Sequence, residues 1–89
     1  LDAALNDPDG PRWQLENGAL TKTVACGSFV GSLAFVAAVG ELAEAADHHP
    51  DIDIRYATVT LRLVTHDSGG ITRLDLELAH SIDAIPVGS

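Results

Sequence analysis

Hydrophobic and polar residues alternate along this chain with two different periods, and each change of period marks an element. Trp13 to Glu16 reads as a short strand, Asn17-Gly18 as a hairpin turn, and Ala19 to Cys26 as the return strand, rich in Thr and Val. Ser28 stands where a helix N-cap is wanted, because its hydroxyl can accept a hydrogen bond from a free first-turn amide. From Phe29 to about Asp47 the period becomes helical, with Phe29, Leu33, Val36, Gly40 and Ala43 on one stripe. Val30, Phe35, Ala37, Ala38, Val39 and Leu42 widen that stripe, so the helix has more than one surface to cover. The sheet is one expected partner and a second subunit the other, with Gly31, Ala34 and Ala38 permitting close approach.

Pro50 disfavours helical geometry at His49 and ends the helix. Period two then runs from Asp53 to Thr65: Ala57, Val59, Leu61 and Leu63 alternate with Thr58, Thr60, Arg62 and Val64. This predicts one long strand, with Tyr56 and His66 on its wetter face. Asp67-Ser68-Gly69-Gly70 is a loop. Thr72 followed by Asp75 is a capping-box variant, opening a second helix to about Ile82 that buries Ile71, Leu74, Leu78 and Ile82. Residues 1–12, punctuated by Pro8, Gly10 and Pro11, are irregular, and Ala84 to Ser89 form a frayed tail. The order β-β-α-β-α predicts an α+β fold, an antiparallel sheet of three to four strands with helices on one face.

Composition narrows the function classes. Eighty-nine residues, 46% of them hydrophobic, make one globular domain spanning 1–89. A domain this small buries only about 60–65% of its unfolded surface, and there is no disulfide, so a homodimer or homotetramer is expected as a further source of stability. Five Lys+Arg against thirteen Asp+Glu give a net charge of −8, the opposite of the footprint that nucleic acid or an anionic membrane requires. Cys26 is the single cysteine, which points to a reducing, cytoplasmic setting and removes any multi-cysteine zinc site. The longest apolar run, near Phe29 to Val39, is interrupted by Gly31 and Ser32 and followed by Glu41, so neither a membrane span nor a signal peptide is expected.

The candidate chemistry lies in the histidines. His48 and His49 sit at a helix-to-strand corner, His66 ends the long strand, and His80 lies on the second helix, where it reads as surface. Imidazole both gives and takes a proton near neutrality, and Glu44, Asp47 and Asp51 are close enough in sequence to orient a ring. Adjacent histidines also serve simply as solvated or helix-capping residues. Three of them can bind zinc, although neighbouring rings rarely aim at one ion.

Spacing alone leaves these alternatives open, but the chain carries the series Glu44-x3-His48-His49-Pro50, five residues, Tyr56, nine residues, His66, eight residues, Asp75. With Trp13 before the first hairpin, it resembles the pterin-4a-carbinolamine dehydratase, or dimerisation-cofactor, family over about residues 13–83. The resemblance implies dehydration of 4a-hydroxytetrahydropterin to quinonoid dihydropterin, in tetrahydrobiopterin recycling, without metal or cofactor. It implies an acid–base pair in His48 and His66, with His49 binding and orienting the pterin. Glu44 and Asp75 become supporting carboxylates of the binding site, Trp13 a wall for the flat heterocycle, and Pro50 the residue that fixes the corner. Two alternatives accompany it: a non-enzymatic interaction module working through the first helix, and a pterin-binding role in molybdenum-cofactor metabolism.

Overall fold

The computed structural model describes residues 13–87, so the expectations for residues 1–12 and for the end of the tail lie outside the described residues. Strand β1 (Gln14–Glu16) pairs antiparallel with β2 (Ala19–Ala25). Asn17 and Gly18 close this hairpin at positive φ, 50° and 78°. Asn and Gly are the residues that tolerate that region, so the turn follows from the dipeptide. Helix α1 (Phe29–Ala46) begins where Ser28 Oγ accepts from the Gly31 amide at 2.9 Å. Strands β3 (Asp51–Arg55) and β4 (Thr58–Leu63) follow, then a 3-10 turn (His66–Ser68) and helix α2 (Arg73–Asp83).

The four strands form one antiparallel sheet in the order β1-β2-β4-β3. The architecture is the expected α+β one, but the long third strand is in fact a hairpin. Arg55 pairs with Thr58, and Tyr56 and Ala57 make a two-residue turn with Tyr56 at φ 54°. No Gly, Asn or Pro signals this turn, and an aromatic at positive φ is uncommon, so the period-two pattern reads straight through it. Tyr56 is accordingly 76% exposed at a turn rather than packed on the sheet.

Val59, Leu61 and Leu63 of β4 are buried with Leu20 and Val24 of β2, and this face is covered by Phe35 and Val39 of α1 and Leu78 and Ile82 of α2. The buried stripe of α1 is Ser32, Phe35, Val39 and Ala43. It is rotated from the expected one, of which Phe29 and Leu33 are about half exposed. The buried Ser32 hydroxyl sets the rotation by donating to the Tyr56 carbonyl at 2.7 Å, which ties α1 to the unsignalled turn. In α2, Leu78 and Ile82 are buried as expected while Leu74 is 47% exposed. By length and composition α1 would suffice to cross a bilayer, contrary to the expectation from its polar interruptions. It docks on the sheet through one narrow stripe, Phe35, Val39 and Ala43, and most of its other residues are not buried.

Gly31 also differs from expectation. A Cβ there would lie 2.2 Å from the Cys26 carbonyl oxygen, so its smallness serves a close approach within the chain. Gly31→Ala should therefore lose about 2 kcal/mol or more of stability through overpacking. Gly40→Ala, whose Cβ meets nothing within 4 Å, should gain about 0.5–1 kcal/mol from helix propensity. Urea unfolding of the two variants checks both signs.

Candidate active site

The C-terminus of α1 is built to turn the chain sharply. The Asp47 amide donates to the Glu44 carbonyl (3.2 Å) and the His48 amide to the Ala43 carbonyl (3.0 Å), with Asp47 itself left-handed at φ 51°. This is a Schellman motif, normally closed by Gly, here closed by an aspartate. It carries His48 and His49 off the helix in different directions. The His48 side chain is 11% exposed and that of His49 is 55% exposed.

His48 Nε2–H donates to Asp75 Oδ1 at 2.5 Å. Asp75 is fully buried and also serves as the capping residue of α2, with Oδ2 accepting from the Thr72 amide (2.9 Å) and the Thr65 hydroxyl (2.7 Å). Burial pushes the Asp75 carboxyl up, but the hydrogen bonds from His48, Thr72 and Thr65 outweigh it and hold the group below its ordinary value of 3.8. An ionised carboxylate only accepts, so the His48 proton sits on Nε2 and Nδ1 is the ring's free nitrogen. Neutral His48 can then take a proton at Nδ1, and the resulting imidazolium faces a fixed negative charge.

The end of β4 supplies the opposite wall. Thr65 and Gly70 exchange two backbone hydrogen bonds (3.0 and 3.4 Å), which pinch the segment between them into the 3-10 turn that presents His66. His48, His49 and His66 thus line one open cleft of about 410 Å³ with Asp47, Val64, Thr65, Asp67 and Leu74. That volume suits a small heterocycle. Val64 and Leu74 offer aliphatic surface, while the carboxylates of Asp47 and Asp67 favour a neutral or basic ligand over an anionic one.

The other expected site residues fall outside this lining. Glu44 pairs with His49 Nε2 at the surface, where such an ion pair is worth little. Asp75 is fully buried, is absent from the lining, and reaches the cleft only through its bond to the His48 ring. Pro50 follows His49 directly before β3 and is not part of the lining. Trp13 does not line the cleft. It is 5% exposed in the core, and its Nε1–H donates to Asp83 at 2.9 Å, with Lys22 bound to the same carboxylate. It fastens the first strand to the end of α2, because its indole N–H needs a partner when buried. Tyr56 lies at the β3–β4 turn and is likewise absent from the lining. Asp47, Val64, Thr65, Asp67 and Leu74 are the lining residues that sequence reasoning missed. Asp47 and Asp67 each adjoin a histidine of the cleft, and that adjacency was the available signal.

A sequence profile described as Pterin 4 alpha carbinolamine dehydratase matches residues 1–85. The chain is 51% identical over its full length to a protein of Mycobacterium avium strain 104, covering 92% of that protein. It is 53% identical over 75 residues to one of Chloroflexus aurantiacus, covering 84% of this chain and 81% of that one. Both relatives bear the name pterin-4-alpha-carbinolamine dehydratase as an inferred assignment. Among solved structures, a transcriptional coactivator/pterin dehydratase from Brucella melitensis superposes with a TM-score of 0.76 at 32% identity, covering 85% of this chain and 81% of that one. A pterin dehydratase-like protein described as a RuBisCO assembly factor in the alpha-carboxysome superposes with a TM-score of 0.70 at 25% identity, covering 92% and 95%.

The Asp75 pairing has a pH signature. A carboxyl whose native value is lowered stabilises the fold fully above its unfolded value of 3.8, and the contribution is lost as pH falls through the native value. Asp75→Asn should cost about 2–3 kcal/mol at neutral pH through the lost charged hydrogen bonds. The gap to wild type should narrow below pH 4 as the wild-type contribution disappears. Urea unfolding as a function of pH measures both.

Proposed function

Because the chain belongs to the pterin 4 alpha carbinolamine dehydratase family, we propose that it removes water from 4a-hydroxytetrahydropterin by histidine acid–base catalysis. The observation that carries this reading is the meeting of His48, His49 and His66 around one cleft. In the reaction the C4a–O bond breaks, and the oxygen leaves as water with a proton from a general acid. The N5–H proton goes to a general base, and the N–H electron pair becomes the C4a=N5 bond of quinonoid dihydropterin. Nothing is oxidised or reduced overall, so the step needs only a proton donor and a proton acceptor.

His48 and His66 are the acid–base pair of this proposal. His48 works through Nδ1, with Asp75 stabilising its charged form. His49, held by Glu44, binds and orients the ring. The heterocycle rests on Val64 and Leu74, the role expected of Trp13 passing to aliphatic side chains. A reduced pterin is neutral to weakly basic, which fits an acidic cleft on a chain of net charge −8. We place the reaction in tetrahydrobiopterin recycling in the cytoplasm. A place beside molybdenum-cofactor pterin chemistry would use the same site.

A second reading rests on a different surface. Phe29, Val30 and Leu33 of α1 are 48%, 73% and 46% exposed on one stretch of helix, and apolar surface of that kind marks an interaction site. The two solved relatives are described as a coactivator and an assembly factor as well as dehydratase-like. This stripe supports self-association into a homodimer or homotetramer, or docking on another protein, alongside catalysis.

Stopped-flow measurement of carbinolamine decay tests the first reading. Wild-type protein should accelerate the decay with or without chelator. His48→Ala and His66→Ala should each lose about 10²-fold or more, the usual worth of one positioned acid or base. Wild-type rates equal to background, or both variants matching wild type, would overturn it. For the second reading, Leu33→Glu should lower the sedimentation coefficient to that of a monomer while each subunit keeps its cleft.

A further inference from the structure

We infer that Thr65 is a positioning residue of this site: its hydroxyl orients the His48–Asp75 pair while its backbone holds the turn that carries His66. The inference rests on the dehydratase reading and assigns a role to a residue outside the histidine spacing that first marked the site.

Proton accounting fixes the direction of every bond in the cluster. Thr65 Oγ1 lies 2.7 Å from Asp75 Oδ2 and 2.7 Å from Thr72 Oγ1. Asp75 is ionised and cannot donate, so the single Thr65 proton goes to Oδ2. Thr65 Oγ1 must then accept from the Thr72 hydroxyl, and Thr72 Oγ1 in turn accepts from the Leu74 amide at 3.3 Å. The result is a one-way chain, from the Leu74 amide through Thr72 and Thr65 to Asp75, meeting His48 Nε2–H on the other carboxylate oxygen. Such chains polarise cooperatively in a buried setting. A carboxylate held on one oxygen by two donors cannot swing, so His48 has one place to bond.

The same residue reaches the second histidine. The Thr65 amide donates to the Gly70 carbonyl, and the Thr65 carbonyl accepts from the Ser68 and Gly70 amides. The His66 side chain makes no hydrogen bond among the described residues, and this turn sets where the backbone presents it. Thr65 is thus bonded on its side-chain side to the anchor of His48 and on its backbone side to the frame of His66. The two proton-transfer groups are fixed relative to each other through one residue.

Replacing the hydroxyl has a predictable sign. With one donor removed from Oδ2, the Asp75 charge is less dispersed and holds the His48 imidazolium more firmly. The limb of the pH–rate profile that follows protonation of the pair should move upward. Other titratable groups of the cleft are His49 with Glu44, His66, Asp47 and Asp67. On the neighbouring elements Arg73 is engaged with Glu77 and Arg62 lies near Asp51, and none of these contacts involves the Thr65 hydroxyl.

The test compares Thr65→Val with Thr65→Ser, and uses Thr65→Ala should the valine variant not fold. Thr65→Val should lower kcat about tenfold to hundredfold, as loss of a supporting hydrogen bond commonly does. KM should stay within about twofold, and the pH limb should rise. Thr65→Ser should restore both. Nitrogen-15 NMR of the His48 ring reads the same change without turnover: its titration should shift upward in Thr65→Val and return in Thr65→Ser. An unchanged His48 titration in the variants lacking the hydroxyl overturns the inference, even if wild type proves to be a dehydratase. A shifted titration supports it even if wild type shows no dehydration.

Discussion

A carboxylate buried among three elements governs both the fold and the site of this protein. Taking the charge of Asp75 out of water costs several kcal/mol unless donors replace the lost solvent. Here three donors do so, and each comes from a different part of the chain: the His48 ring just after α1, the Thr65 hydroxyl just after β4, and the Thr72 amide at the start of α2. The helix N-terminus adds its own favourable field. These elements can approach only with the carboxylate satisfied, so the same bonds that cap α2 also set the ring of His48. Folding and the preparation of the site are therefore one event at this position.

Around that anchor the chain breaks local rules where the cleft needs it to. Asp47 adopts a left-handed conformation that usually falls to Gly, and it places an acid at a helix C-terminus where the macrodipole favours a cation. In return it sends His48 inward to Asp75 and His49 outward to Glu44, and contributes a carboxylate to the cleft. Local departures of this kind gather at functional sites. The three rings consequently differ in surroundings: His48 is bound to a buried charge, His49 to an exposed one, and the His66 ring makes no hydrogen bond among the described residues. Identical side chains placed in unlike surroundings are what a division of acid, base and binding roles requires.

Much of this was legible in the sequence, because the relevant signals are local. The Asn17-Gly18 hairpin, the Ser28 cap, the alternation in β4 and the Thr72–Asp75 capping box are all matters of neighbouring residues, and each stands in the structure where the pattern put it. The family resemblance implies one site for His48, His49 and His66, and all three line the same cleft. The misses were tertiary. The turn at Tyr56 lacks turn residues, and its carbonyl is satisfied by Ser32, 24 positions away. That contact also rotates α1, so its buried stripe follows Ser32 and Phe35 rather than the most apolar positions. The resemblance implies Trp13 as a flat wall of the site, whereas it is buried in the core with its indole N–H satisfied by Asp83. The carboxylates nearest His48 in sequence do not hold its ring; the bond goes to Asp75, 27 residues on, which only the family resemblance points to as a supporting carboxylate.

The claim on which the rest stands is that one ligand touches three imidazoles drawn from two distant parts of the chain. Mapping chemical-shift changes while a non-reacting reduced pterin is titrated into nitrogen-15-labelled protein tests it most directly. The changes should concentrate on the rings of His48, His49 and His66 and on the amides of Thr65 and Asp67, and saturate together with one Kd. Changes confined to the exposed stripe of α1, or reaching His48 and His49 but leaving His66 untouched, would contradict it.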